Sequence, residues 1–243
     1  MPASPSITSP SFTMIELVVF DMAGTTVDED NVVYKTVRQA INAAGYSFTQ
    51  EQVQSAGAGK EKSQAIRDVL ALDGTEHPED EVQAIFADFR FRLAEAYDSL
   101  EVVEQSGASD IFRELHSRGI KVVLNTGYDR PTAEKLVHKI GWTIGEEVDA
   151  LVTASDVEAG RPAPDMIYLA MALTQVTNAA SVAKIGDSRI DIEEGQNAKC
   201  GMALGITTGA QTESELLQSN PTAVIHHLSD LIQLVDQTSN ATV

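Results

Sequence analysis

Asp21 stands where a nucleophile would. It closes the apolar run Ile15-Glu16-Leu17-Val18-Val19-Phe20 and opens the turn Ala23-Gly24-Thr25-Thr26. A carboxylate at the end of a buried strand, followed by Gly-Thr-Thr, is the arrangement that attacks phosphorus and forms an acyl-phosphate. The attack needs relief from charge repulsion. A divalent metal held by Asp21 and Asp187 supplies it, and hard Mg²⁺ suits oxygen ligands. The backbone carbonyl of Ala23 serves as a ligand whatever its side chain, and Asp191 completes the metal set by orienting bound water. Thr126 can hydrogen-bond phosphoryl oxygens, and Arg161 can neutralise charge on the nucleophile and the transferring group. Gly127 and Tyr128 follow Thr126 as substrate contacts, with Tyr34 as another candidate. A second acid two residues after Asp21 would protonate an alkoxide leaving group, but Ala23 stands there. Either the chain is inactive, or its leaving group takes no proton from that position.

Each of these groups follows an apolar run. The first strand ends in Asp21. Lys121–Leu124 ends in Asn125-Thr126-Gly127, and the loop after Ala150–Val152 carries Gly160-Arg161-Pro162. Val182–Ile185 ends in Gly186-Asp187-Ser188-Arg189-Ile190-Asp191, and Met202–Leu204 and Ala223–Ile225 follow as strands. Helical spacing of apolar residues separates them, over Ser109–Ser117, Arg130–Ile140, Pro164–Leu173, Ile190–Ala198 and Glu213–Gln218. Strands alternating with helices predict an α/β fold: a Rossmann-like parallel sheet core with helices on both faces. In such sheets the site lies at the C-terminal strand ends. Residues from about 30 to 105 show no convincing strand and read as helices over Val33–Ala44, Thr49–Ala56, Lys62–Leu72 and Glu79–Tyr97. They predict an inserted all-helical cap over 30–105, a catalytic core over 14–29 and 106–243, and a disordered leader over 1–13.

Composition narrows the partners. The 243 residues carry 17 basic and 36 acidic side chains, a net charge of −19. That argues against nucleic acid or an anionic membrane and for a small molecule met by locally concentrated positive charge. Cys200 is the only cysteine. It permits no intrachain disulfide, fits a reducing cytoplasm and reads as a small filler. No apolar run approaches the roughly 18 residues of a membrane span. The five histidines show no metal-ligand spacing.

The motif set Asp21-x-x-Gly24-Thr25, Thr126, Arg161 and Gly186-Asp187-x-x-x-Asp191 resembles the haloacid dehalogenase superfamily. More narrowly, Asp21-x-Ala23-Gly24-Thr25-Thr26-Val27-Asp28, Thr126-Gly127-Tyr128, Ala159-Gly160-Arg161-Pro162 and Gly186-Asp187 resemble the phosphonatase branch, over roughly Met14 to Thr208. Ordinary phosphatases of the superfamily carry Asp at position 23 and usually Lys at 161.

The resemblance implies Mg²⁺-dependent cleavage of a P–C bond in a phosphonoaldehyde. Breaking that bond expels a carbanion, which needs an electron sink. A lysine iminium supplies one, because the departing electrons become an enamine. The family places this lysine in a Gly-x-x-Lys stretch of the cap, here Gly59-Lys60-Glu61-Lys62. Lys62 keeps the downstream register, while a frame shifted by two residues selects Lys60. The family's surroundings are apolar and these are polar; Lys60 would depress the Lys62 pKa and Glu61 oppose it. The family's histidine after the lysine is replaced by Ala65. The resemblance also implies a homodimer through the cap. Three functions fit: a P–C hydrolase acting through Asp21 and Lys62, a phosphatase for a small phosphate monoester, and a catalytically silent binding protein on the same scaffold.

Overall fold

The computed structural model describes residues 14–58, 60–99 and 101–240. The expected leader and Gly59 lie outside them. Six parallel strands form the central sheet: β1 (Leu17–Asp21), β4 (Lys121–Thr126), β5 (Ala150–Thr153), β6 (Val182–Gly186), β7 (Met202–Ile206) and β8 (Ala223–Ile225). Their order is β5-β4-β1-β6-β7-β8. The chain moves from β1 outward on one side and then returns to build the other. This puts the topological switch point at β1, where α/β sheets open a crevice.

Alternation along β1 explains the two helical layers. Val18 and Phe20 face Phe112 and Leu115 of α5 (Ala108–Ser117), Leu136 of α6 (Arg130–Ile140) and Leu231 of α10 (Asp230–Asn240). Leu17 and Val19 face Met166 and Ala170 of α7 (Asp165–Thr174). On the same face as α7, over the other half of the sheet, α8 (Arg189–Asn197) packs on β6 and β7. The short α9 (Glu213–Leu216) buries Leu216 against Ile192 and Ala203.

Four helices stand between β1 and β4: α1 (Val32–Ala43), α2 (Gln50–Gly57), α3 (Lys62–Leu70) and α4 (Glu79–Ser99). They pack mainly on one another. Their starts follow local chemistry. Thr49 and Gln52 make a reciprocal capping box on α2. The Glu61 carboxylate accepts from the Ser63 and Gln64 amides and so places Lys62 at the first position of α3. The expectation that no strand occurs between 30 and 105 is corrected. β2 (Val27–Asp28) pairs antiparallel with β3 (Val103–Glu104), so the chain's exit to the helices and its return are laced together. Two-residue strands carry no periodicity and leave no pattern to detect. Past β2, Asp30 (φ 51) and Asn31 (φ 56) both adopt the left-handed region and turn the chain into α1. Asp and Asn are the non-glycine residues best suited to it. Helix α10 has no counterpart among the expected elements.

Candidate active site

Asp21 ends the central strand beside Asn125 of β4. Only 5% of it is exposed. Arg161 reaches it from the loop after β5: its Nη2 donates to Asp21 Oδ1 at 2.7 Å and to the Asn125 carbonyl at 2.9 Å. Nη1 of the same guanidinium lies 2.9 Å from Asp191 Oδ1. Behind these, Lys184 Nζ donates to Asn125 Oδ1 at 2.8 Å and to Asp191 Oδ1 at 2.9 Å. Asn125 Nδ2 donates to Glu194 Oε1 at 2.9 Å. Lys184 and Glu194 escape sequence reading, although a lysine inside the run Val182-Ala183-Lys184-Ile185 is a signal. A fully buried ammonium demands partners. Asp191 and Glu194, three apart on α8, face it from one side of the helix.

Oxygens of Asp21, Asp187 and Asp191 all lie within 4.8 Å of one another. Burial and the neighbouring carboxylates Asp21 and Asp191 push the Asp187 carboxyl well above its usual range. Burial also raises Asp21, against the pull of Arg161. Asp191 goes the other way: burial works upward, but Arg161 and Lys184 overcome it and hold the carboxyl low. Two buried cations, Arg161 and Lys184, thus face four buried acids, Asp21, Asp187, Asp191 and Glu194. A divalent cation would balance the set, so the donors fit Mg²⁺. The cradle around Asp187 is tight. A Cβ on Gly24 would come 2.4 Å from Asp187 Oδ2, and one on Gly209 would come 2.0 Å from it. The Ala210 amide fixes the same oxygen at 2.6 Å.

The helical insert covers these strand ends. Asp21, Ala23, Tyr34, Lys62, Thr126, Gly127, Tyr128, Arg161 and Asp187 line one cavity of about 30 Å³. All the expected side-chain positions except Asp191 therefore meet there, and Asp191 stands directly behind Arg161. Of the two lysines left open by the sequence, Lys62 enters the cavity. Its stem is half-buried, and its Nζ donates to the Lys60 carbonyl at 2.7 Å and lies 5.1 Å from the Tyr34 ring centre. Lys60 points elsewhere and pairs with Asp68. Burial lowers the Lys62 pKa, and the Arg161 guanidinium lowers it further, while Asp21, Glu29 and Glu61 oppose. The depressing cation is Arg161 from the core, not the neighbouring Lys60, as the polar local sequence suggested. The position of Lys62 at the N-terminus of α3 adds a further unfavourable dipole for an ammonium. Ala65 is buried against Gly57.

Tyr128 contributes in an unforeseen direction. Its hydroxyl donates to Glu29 Oε2 at 2.9 Å, and the Tyr97 hydroxyl donates to the same oxygen. Tyr128 and Lys62 also line a larger groove of about 550 Å³, walled by Phe89 and Leu93 of α4. Elsewhere, burial pushes the Cys200 thiol up to about 12, which removes it as a nucleophile at neutral pH. Among the described residues no helix is long and apolar enough to cross a membrane.

A parallel sheet with three acids and an arginine gathered at its central strand end defines a hydrolase scaffold, and comparison with known proteins agrees. Residues 15–199 match the model of the haloacid dehalogenase-like hydrolases, and the chain belongs to that family. It is similar to the phosphonoacetaldehyde hydrolase of Parabacteroides distasonis, with 30% identity over 208 residues, covering 79% of this chain and 76% of that one. Its likeness to the phosphonoacetaldehyde hydrolase of Bacillus cereus (strain G9842) is 32% over 218 residues, covering 83% and 81%. In fold it resembles a phosphonoacetaldehyde hydrolase-like protein from Oleispira antarctica, with TM-score 0.80 and 22% identity over 99% of this chain and 98% of that one.

Proposed function

We propose that this hydrolase cleaves the P–C bond of phosphonoacetaldehyde or a related phosphonoaldehyde, with Asp21 as nucleophile and Lys62 as Schiff base. One observation carries the reading: Asp21 and Lys62 line one cavity, with Arg161 acting on both. The names of the relatives point the same way. On this reading residues 30–105 form a cap that delivers the lysine to the core of 14–29 and 106–243.

The neutral Lys62 amine adds to the aldehyde carbonyl, and loss of water leaves an iminium. Asp21 attacks phosphorus from the opposite side. The P–C electron pair moves into the iminium and becomes an enamine, so no acid is needed at position 23. Arg161 holds the Asp21 carboxylate in line and offsets charge on the phosphoryl oxygens. Thr126 and the Gly127 turn orient those oxygens. Mg²⁺ held by Asp21, Asp187, Asp191 and the Ala23 carbonyl would supply charge neutralisation at the phosphoryl group. Water then hydrolyses the acyl-phosphate. The cavity of about 30 Å³ is too small for the substrate, so entry requires the cap to move away.

Borohydride reduction with phosphonoacetaldehyde and Mg²⁺, followed by peptide mass mapping, tests this directly. A two-carbon adduct on Lys62 is expected, and Lys62→Ala should lose P–C cleavage by about 10³-fold or more. An adduct on Lys60, or cleavage that survives Lys62→Ala, would overturn the assignment. Phosphate release from small monoesters without any adduct would move the protein to the phosphatases.

A further inference from the structure

Glu29 is a buried acid that the reaction above does not use. It lies just past β2, and only 4% of it is exposed. Three segments converge on its carboxylate: the Val33 amide at the start of α1, the Tyr97 hydroxyl from α4, and the Tyr128 hydroxyl from the loop after β4. Tyr97 and Tyr128 are themselves 3.1 Å apart through their hydroxyls. Tyr128 also lines the cavity that holds Lys62 and Asp21. A hydrogen-bonded path therefore links Glu29 to Tyr128, a residue that lines the reaction cavity.

Iminium formation needs such a path. Amine, aldehyde and one proton give iminium and water. The proton lost by nitrogen on addition moves to the carbinolamine oxygen, and one further proton is required for water to leave. Among the residues lining the cavity, Asp21 and Asp187 are committed to phosphorus and metal in this reading, and the family's histidine is Ala65 here. We infer that Glu29 is the proton reservoir for iminium formation at Lys62, a positioning residue that acts through the Tyr128 hydroxyl. The inference rests on the Lys62 reading. Tyr128 gives its proton to the departing hydroxyl and is reprotonated by the Glu29 carboxylic acid, which becomes a carboxylate held by the two tyrosines and Val33. After P–C cleavage the enamine takes up at carbon the proton released when water splits the acyl-phosphate, and becomes the product iminium. Hydrolysis of that iminium releases one proton and restores the acid.

The charge balance around Glu29 supports its carrying a proton near neutrality. Burial raises its carboxyl to about 7, against hydrogen bonds from Tyr97 and Tyr128 and the charge of Lys62. Lys62 in turn faces Arg161, Asp21 and Glu61. Asp187 borders the pocket on the other side of Glu29, Asp28 is exposed, and Asp30 pairs with Lys35 at the surface. Both tyrosines are held far above their ordinary range, so they pass protons without becoming phenolates.

Acetaldehyde isolates this step, since it has the carbonyl but no phosphorus. The rate of cyanoborohydride-trapped adduct on Lys62 is followed by mass spectrometry against pH, normalised to Nα-acetyl-lysine, whose ε-amine is free, at the same pH. In the wild type the normalised rate should fall above about pH 7, where Glu29 has lost its proton. Glu29→Gln should slow trapping at pH 6 by about 10- to 100-fold and remove that fall. At pH 6 Glu29 is the neutral acid, so Glu29→Gln leaves the charge facing Lys62 nearly unchanged, and slowing cannot arise from a shift of the amine. Tyr128→Phe keeps Glu29 on Val33 and Tyr97 yet breaks the path, and should show the same loss. Wild-type rate and pH profile in either variant would overturn the inference, even if melting temperature drops. No Lys62 adduct in the wild type would sink the Lys62 reading and this inference together. An adduct insensitive to Glu29 would sink the inference alone.

Discussion

The core and the helical insert supply charge to the cavity in opposite ways. At the strand ends each cation is tied to several groups: Arg161 spans Asp21 and Asp191, and Lys184 spans Asp191, Glu194 and Asn125. The insert brings a single amine, Lys62, held by one backbone carbonyl at a helix start. A pre-organised cluster costs no rearrangement when charge develops on phosphorus. A lysine that must bond covalently and release needs a neutral amine and few competing contacts. The two regions are built for different tasks: one fixes charge, the other yields it.

The largest effect belongs to the nucleophile. Asp21→Asn should reduce phosphate release by at least about 10⁴-fold while leaving the fold intact by circular dichroism. Retained turnover would mean that the core cluster does not act on phosphorus. Next is the fixed cluster itself. Lys184→Met leaves Asp191 and Glu194 short of a buried partner and should cost about 3–5 kcal/mol in urea unfolding. A cost below about 1 kcal/mol would show that the cluster is not rigidly paired.

Metal binding and pH act on the same three carboxylates. Asp21 and Asp187 have carboxyl pKa values raised in the folded state. Their contribution to stability is therefore full below the unfolded carboxylate range and is lost as pH rises through the folded values. Asp191, held low, has the opposite slope. Mg²⁺ would replace the protons on the first two, so its stabilisation should grow from pH 5 to pH 8, reaching about 2.7 kcal/mol at a hundredfold excess over Kd. Melting with and without chelator measures it, and a pH-independent difference would contradict the metal site. The smallest effect belongs to Lys60. Its pair with Asp68 is partly exposed, and Lys60→Met should change stability by no more than about 1 kcal/mol and leave P–C cleavage in place. Loss of activity there would reverse the roles given to the two lysines.

The core of this arrangement was readable because strand ends in a parallel sheet share one edge. Asp21, Thr126 and Asp187 each follow an apolar run, so their convergence needed only the α/β topology. Lys184 was hidden because it sits within a run, and its partners come from α8 and β4. The Glu29 cluster was hidden more completely. Tyr97 and Tyr128 are 68 and 99 residues away, and no local pattern links them. The source of the Lys62 shift was also out of reach: neighbours in sequence suggested Lys60, while the fold brings Arg161.

The antiparallel pair of Val27–Asp28 with Val103–Glu104 has an architectural consequence. It brings the two chain crossings side by side, with Val27 opposite Glu104 and Asp28 opposite Val103. The whole helical segment is thus grafted at the tip of a hairpin stem. Excising residues 29–102 and joining Asp28 to Val103 through Asn-Gly would leave an ordinary two-residue hairpin. The layer of Leu17, Val19, Met166 and Ala170 would stay whole, while the opposite layer would lose the apolar residues it shares with α1–α4. The stem is thus a splice point at which the four-helix segment can be exchanged while the strand register is left alone.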